Sequence, residues 1–325
     1  MPVYLGSTQR APRRRPYSRV DYAGLERIGQ TDRRPRNDMP DTMSYWNSFA
    51  ESFRALGPPL RPSREDIRSM EEAASAWAAG HPGQRLHALL LGVTPEIAGM
   101  RWPEPSSLMA VDSSVAMAKA LWPGNIPGRR WLVCGDWRGL PREERSCDMV
   151  VGDGSINCLR YPDGYRALAA GVHRVLRDDG FLVLRCYLRP ELQESPEDVM
   201  ERMGEFPSFH HFKFCLLMAM QPDVHEGIAV HRVHQFWASR KVEEEALAAR
   251  TGWERPSIRT IEFYRGTNTV HTFPTLGELR AVLLEFFDEI SLTKPSYPLG
   301  ERCPTLVLKP LPGKCRYRNQ RGGSR

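Results

Sequence analysis

Apolar positions along this chain fall into two periods, and the switching between them predicts the architecture. Leu86 to Leu91 is an uninterrupted apolar run apart from His87, the pattern of a strand buried on both faces. Leu108 to Val111, Trp131 to Cys134, Met149 to Val151 and Phe181 to Leu184 repeat it. Between them, Val115 to Leu121 and Tyr165 to Leu176 carry helical spacing. Strands alternating with helices imply a parallel sheet joined by right-handed crossovers. Leu276 to Phe287 then reads as an amphipathic helix, with Ile290 to Thr293 and Thr305 to Leu308 as two closing strands.

The flanks read differently. Tyr45, Trp46, Phe49 and Phe53 recur near helical spacing and predict a short amphipathic helix. The run Pro58-Pro59-Leu60-Arg61-Pro62 breaks it. Ser63 then caps a second helix whose first turn is acidic, at Glu65 and Asp66, and which ends at Gly80. Residues 190–260 are mostly helical in pattern and too long for a loop, so they are expected to form a helical insertion after the fifth strand. The expected organisation is a tail at 1–40, a domain at 41–312 and a second tail at 313–325.

Charge sharpens that division. Residues 1–40 hold nine Arg against Asp21, Glu26, Asp32 and Asp38, and residues 313–325 hold Lys314 and four Arg with no acid. The net charge of +6 therefore belongs to the tails, and the body is mildly acidic. Basic tails could touch nucleic acid weakly, but solubility is the favoured reading. Arg13, Arg14 and Arg15 sit in a Pro-interrupted, Ser-poor stretch, which suits a disordered tail better than a transit peptide. No run of 18 apolar residues predicts a membrane span, and no apolar signal core opens the chain. The seven cysteines form no CxxC pair, which suits reduced thiols and a cytoplasmic location, with no metal site expected.

Four strand ends carry candidate chemistry. After Leu91 come Gly92, Thr94, Pro95 and Glu96: Thr94 suits an N-cap and Pro95 a first helical turn, so a helix is expected to open above the strand with N–H groups free for an anion. Asp112 ends the second strand about 20 residues after Gly92, the spacing of an acid that accepts from ribose hydroxyls, although a lone Asp there also caps helices. Asp136 and Trp137 follow the third strand; the carboxylate could accept from an adenine amino group or merely open a turn. Asp153, Gly154 and Ser155 follow the fourth strand, where glycine permits close approach to a ligand.

In that order, these features resemble the class I S-adenosylmethionine-dependent methyltransferases. The run Arg174-Val175-Leu176-Arg177-Asp178-Asp179-Gly180 looks like the family's turn into its fifth strand, with Asp178 and Asp179 in place of Pro-Gly. Leu90 stands where the family usually has an acid, and Thr94 where it has a second glycine. The resemblance covers roughly residues 43–310. It implies a doubly wound, mostly parallel, seven-stranded α/β sheet (Rossmann-like) closed by an antiparallel hairpin. It also implies S-adenosyl-L-methionine as cofactor, held by Trp46, Gly92, Thr94, Pro95, Asp112, Asp136, Trp137, Asp153, Gly154 and Ser155. Absence of G-x-G-x-x-G argues against a dinucleotide.

The expected function is O- or N-methylation of a small molecule. Trp46 and Tyr161 are candidates to face the sulfonium. His210, His211 and Asp153 are the candidate bases. An RNA or protein methyltransferase held by the basic tails, and a non-catalytic module retaining the fold, are the alternatives.

Overall fold

The computed structural model describes residues 56–313 together with Trp46, Phe49, Ala50 and Phe53. The basic tails (Gly313 apart), Tyr45 and most of the 43–53 helix lie outside the described residues. Trp46, Phe49 and Ala50 are helical, and Phe53 lies in a 3-10 turn.

The first long helix, α1 (Arg64–Gly80), starts as its sequence demands. Ser63 Oγ accepts from Glu65 and Asp66 N–H groups, and Asp66 returns a bond to the Ser63 N–H. Then follow β1 (Leu86–Leu91), α2 (Pro95–Ala98), β2 (Ser106–Asp112), α3 (Val115–Leu121), β3 (Arg130–Cys134), β4 (Cys147–Asp153), α4 (Asp163–Val175) and β5 (Leu176–Arg185). The chain next runs through α5 (Pro196–Glu201), α6 (Phe209–Ala219), β6 (Ile228–Ala229), α7 (Val230–Ser239), α8 (Glu244–Thr251), α9 (Arg255–Arg259) and β7 (Val270–His271). It closes with α10 (Leu276–Leu283), β8 (Phe287–Thr293) and β9 (Thr305–Pro310).

Seven strands form one sheet in the order β3-β2-β1-β4-β5-β9-β8. The first five are parallel, while β9 runs antiparallel to both β5 and β8. Alternation along β1 divides two cores. Leu89 and Leu91 join Val150, Leu182, α4 and α10 on one face. Ala88 and Leu90 join Met149, Val183 and α1 on the other. That period of two, with both faces covered, is why β1 reads as an unbroken apolar run.

The order reverses between β1 and β4, which places a crevice beyond their carboxyl ends. The insertion has its own core, around Phe209, Phe212, Trp237 and Trp253. Its helices are as expected, but the segment continues past residue 260 to Pro274, because β7 pairs with β6 before the Thr275–Glu278 capping box opens α10.

Two boundaries differ from the sequence reading for local reasons. Helix α4 stops at Val175, and Leu176 already pairs with Cys147; the register then shifts before Phe181 pairs with Met149. Asp148, buried under this bulge, pairs with Arg177 and accepts from the His87 N–H at 2.8 Å. A Cβ at Gly180 would stand 2.8 Å from the Asp148 carbonyl, so the bulge needs glycine there. Helix α10 ends at Leu283 rather than Phe287, which begins β8.

Candidate functional site

One cavity of about 1050 Å³, its open mouth included, lies at the reversal of strand order. Gly92, Thr94, Asp112, Trp137, Asp153, Gly154 and Ser155 all line it, as does Trp46 from the N-terminal segment. Four strand ends remote in sequence therefore converge on one space. Pro95, Asp136, Tyr161, His210 and His211 are not among its lining residues.

Gly92 adopts φ +106, a conformation that excludes ordinary side chains, and a Cβ there would sit 3.8 Å from Asp112 Oδ2. Asp112 holds its place by accepting from the Ser114 N–H at 2.7 Å, and burial pushes its carboxyl up to about 6. Trp137 donates its indole N–H to the Val111 carbonyl at 2.6 Å, which fixes the ring beside Gly92. Asp136 is exposed: it caps a 3-10 turn and pairs with Arg138 at 2.5 Å, so it presents no carboxylate to the cavity. Helix α2 is a single turn and Thr94 makes no side-chain cap, so the expected helix N-terminus is much reduced.

Asp153 is bound as firmly. Its Oδ1 lies 2.6 Å from Nη1 of Arg185, a side chain with no exposed surface. Arg185 also pairs with Asp66 at 3.1 Å, and donates to the Pro59 carbonyl at 2.7 Å and to the hydroxyls of Tyr297 and Tyr187. Burial pushes the Asp153 carboxyl upward while the guanidinium opposes it. Gly154 has φ +61, and a Cβ there would strike the Tyr187 ring at 2.5 Å. The Ser155 hydroxyl is buried and has no hydrogen-bond partner among the described residues.

The two histidines singled out in sequence lie on α6, whose side chains are buried all round. His211 bonds the Ser208 hydroxyl at 2.8 Å, and the His210 ring lies beneath Gly57. Phe214 and Leu217 are the residues that α6 gives to the cavity. The Tyr161 ring packs against Tyr165 and His225 instead.

Sequence reasoning missed His271. It lines the cavity from β7 and bonds the Asn157 backbone, and burial pushes its imidazole down to about 4. It is thus neutral near pH 7. His271 belongs to an unbroken line of ring contacts along the cavity wall. Phe53 meets Phe49 at 6.1 Å, Phe49 meets Trp46 at 5.4 Å, and Trp46 meets His271 at 6.4 Å. His271 then meets Phe273 at 6.4 Å, Phe273 meets Phe214 at 6.1 Å, and Phe214 meets Tyr187 at 5.2 Å. These spacings are those of favourable aromatic pairs.

Asn157 secures the wall to the sheet. Its amide donates to the Tyr187 carbonyl at 2.8 Å and the Thr272 carbonyl at 2.7 Å, and its side-chain oxygen accepts from the Tyr187 N–H. Among the described residues, no cluster of three or more His, Cys, Asp or Glu is placed to hold a metal ion. No helix among them is long and apolar enough to cross a membrane.

No protein-family model and no curated protein sequence matches the chain. Solved structures do. A Rhodobacter sphaeroides protein, provisionally described as a Zn-dependent alcohol dehydrogenase, superposes with TM-score 0.51 at 14% identity, over 83% of this chain and 99% of that one. A Methanosarcina mazei S-adenosylmethionine-dependent methyltransferase gives TM-score 0.40 at 15% identity, over 72% of this chain and 96% of that one. A Thermotoga maritima protein described as an S-adenosylmethionine-dependent methyltransferase gives 0.39 at 11% identity, over 82% and 98%. At 14% identity the first of these is a likeness of fold alone. The strand order and closing antiparallel pair are those of the class I methyltransferase fold, as the sequence led one to expect.

Proposed function

We propose that this chain is an S-adenosylmethionine-dependent methyltransferase acting on a small-molecule acceptor, by O- or N-methylation. The observation that carries the reading is the meeting of Gly92, Asp112, Asp153 and Ser155 around one cavity at the switch in strand order.

The residues present suit that cofactor. Asp112 is a carboxylate able to accept from vicinal ribose hydroxyls, and Gly92 leaves its backbone open beside it. The Ser155 hydroxyl, buried without a partner among the described residues, is a polar group waiting for one. When bound, S-adenosylmethionine supplies an electrophilic methyl group on a sulfonium. The chain's own part is to align the acceptor and exclude water. Trp46 and the rings beside it line the same cavity, and aromatic rings there can stabilise a cation.

Proton handling falls to few groups. Asp153 is engaged by Arg185, so it serves better as a fixed charge than as a base. His271 is neutral and can accept a hydrogen bond from an acceptor's hydroxyl or amine. With an imidazole held near 4, its role is orientation more than strong proton abstraction.

A nucleic-acid or protein acceptor fits less well. No Lys or Arg lines the cavity among the described residues. Calorimetry with S-adenosylhomocysteine tests the reading. Micromolar binding to the wild type, weakened in Asp112→Asn, is expected; no binding at all would refute it.

A further inference from the structure

We infer that the acceptor is a flat, uncharged aromatic molecule, held against the continuous line of rings that runs from Phe53 through Trp46 and His271 to Tyr187. The inference rests on the methyl-transfer reading and names its second substrate by class.

Three observations carry it. First, the seven rings come from three separate parts of the chain: the N-terminal segment, the insertion and the residues just past β5. All seven line the cavity, and Phe214 and Phe273 are at the same time part of the insertion's buried core, which holds the line in place. Second, the line ends at Tyr187, whose ring packs over Gly154 beside Asp153. The apolar wall therefore reaches the strand end where the two substrates would meet.

Third, charge selects against other classes. The ionic side chains on the lining are Asp112 and Asp153. Asp153 is already paired with Arg185, and no Lys or Arg lines the cavity among the described residues, so no cationic group is offered to an anion beyond the cofactor's own, and phosphate or carboxylate acceptors are disfavoured. The rings, most of them meeting one another edge to face, give the cavity a largely aromatic wall, and aromatic pairing favours another planar ring over a bulky saturated skeleton. His271, between Trp46 and Phe273, supplies a polar atom that a phenolic hydroxyl or aromatic amine can meet.

Three probes of one skeleton test this: naphthol, its saturated counterpart decalol, and the anion naphthoate. Each is titrated by calorimetry into the full-length protein, with and without saturating S-adenosylhomocysteine. Naphthol should bind at least about tenfold more tightly than either other probe. Phe273→Leu and Phe214→Leu keep apolar bulk but remove a ring, and should weaken naphthol about three- to tenfold. Both variants should leave S-adenosylhomocysteine affinity within about twofold, which also reports that they fold. Equal binding of decalol, preference for naphthoate, or no effect of either substitution overturns the inference. Absence of S-adenosylhomocysteine binding would remove the methyl-transfer reading instead, and the probe ranking on the free protein would still decide what the cavity accepts.

Discussion

Arg185 Nη1, on a side chain with no exposed surface, stands 2.6 Å from Asp153 Oδ1, and the same guanidinium holds Asp66 at 3.1 Å. One cation thus serves two carboxylates that come from α1 and from the end of β4. Removing it would strand both. Arg185→Met should therefore lower the unfolding free energy by about 3–5 kcal/mol, the usual consequence of breaking a buried pair. Urea denaturation measures this; a loss under about 1 kcal/mol would mean that the network is not holding the fold.

Asp112 gives a split signature. Burial holds its carboxyl near 6, above the ordinary 3.8, so the folded state binds that proton more tightly. Its contribution to stability is complete below about pH 4 and is lost as pH rises through about 6. Asp112→Asn should accordingly be neutral or stabilising at pH 7 in thermal melts. Donor affinity should move the other way, falling roughly tenfold or more with the loss of a charged acceptor. Wild-type affinity should also decline from pH 7 to pH 5, whereas the variant's should stay flat. A pH-independent wild type would remove Asp112 from the binding site.

Lys213 on α6 is buried, and no carboxylate among the described residues pairs with it. Its Nζ donates to Thr260 Oγ1 at 2.7 Å and lies 5.1 Å from the Tyr264 ring centroid. Desolvation pushes it down to about 7, from 10.5. Between those values the unfolded chain binds the extra proton, so stability should climb as pH rises from about 7, at up to about 1.4 kcal/mol per pH unit from this group. Lys213→Met should be more stable than wild type at pH 6 and should flatten that climb between pH 7 and 9. Parallel denaturation curves for the two proteins across that range would count against it.

Gly154 tests the strand end itself. With φ +61 and Tyr187 2.5 Å from where a Cβ would lie, Gly154→Ala must shift both the backbone and the ring. A loss of about 1–3 kcal/mol is expected by denaturation. Gly139→Ala, where a Cβ meets nothing within 4 Å, is the control and should cost little.

Much of this fold could be read from the chain because its sheet is covered on both faces. The run Leu86–Leu91 was bounded to the residue, and so were α3 and the end of α1 at Gly80, where apolar period and caps agree. The lining at Gly92, Asp112 and Asp153 was legible because strand ends are where such folds place ligands. Other residues defeated the same logic. Asp136 has Arg138 two positions on, and that local pair takes the carboxylate. His210 and His211 lie on a helix buried on every side, where periodicity cannot assign a face. His271 sits on a strand of two residues, too short to show any period. Arg185 looks like the polar end of an apolar strand, and only the tertiary structure brings Asp66 and Asp153 to it.

The side chain of Asn157 spans from Tyr187 to Thr272, binding the far end of the insertion to the floor of the sheet. With both ends tied to one side chain, the intervening stretch closes as a separate excursion from the sheet. Helices α5 to α9 have a core of their own, so substitutions inside it should leave the floor beneath in shape. On the methyl-transfer reading, changes in acceptor preference should therefore be sought between those two anchor points, with the carboxamide retained.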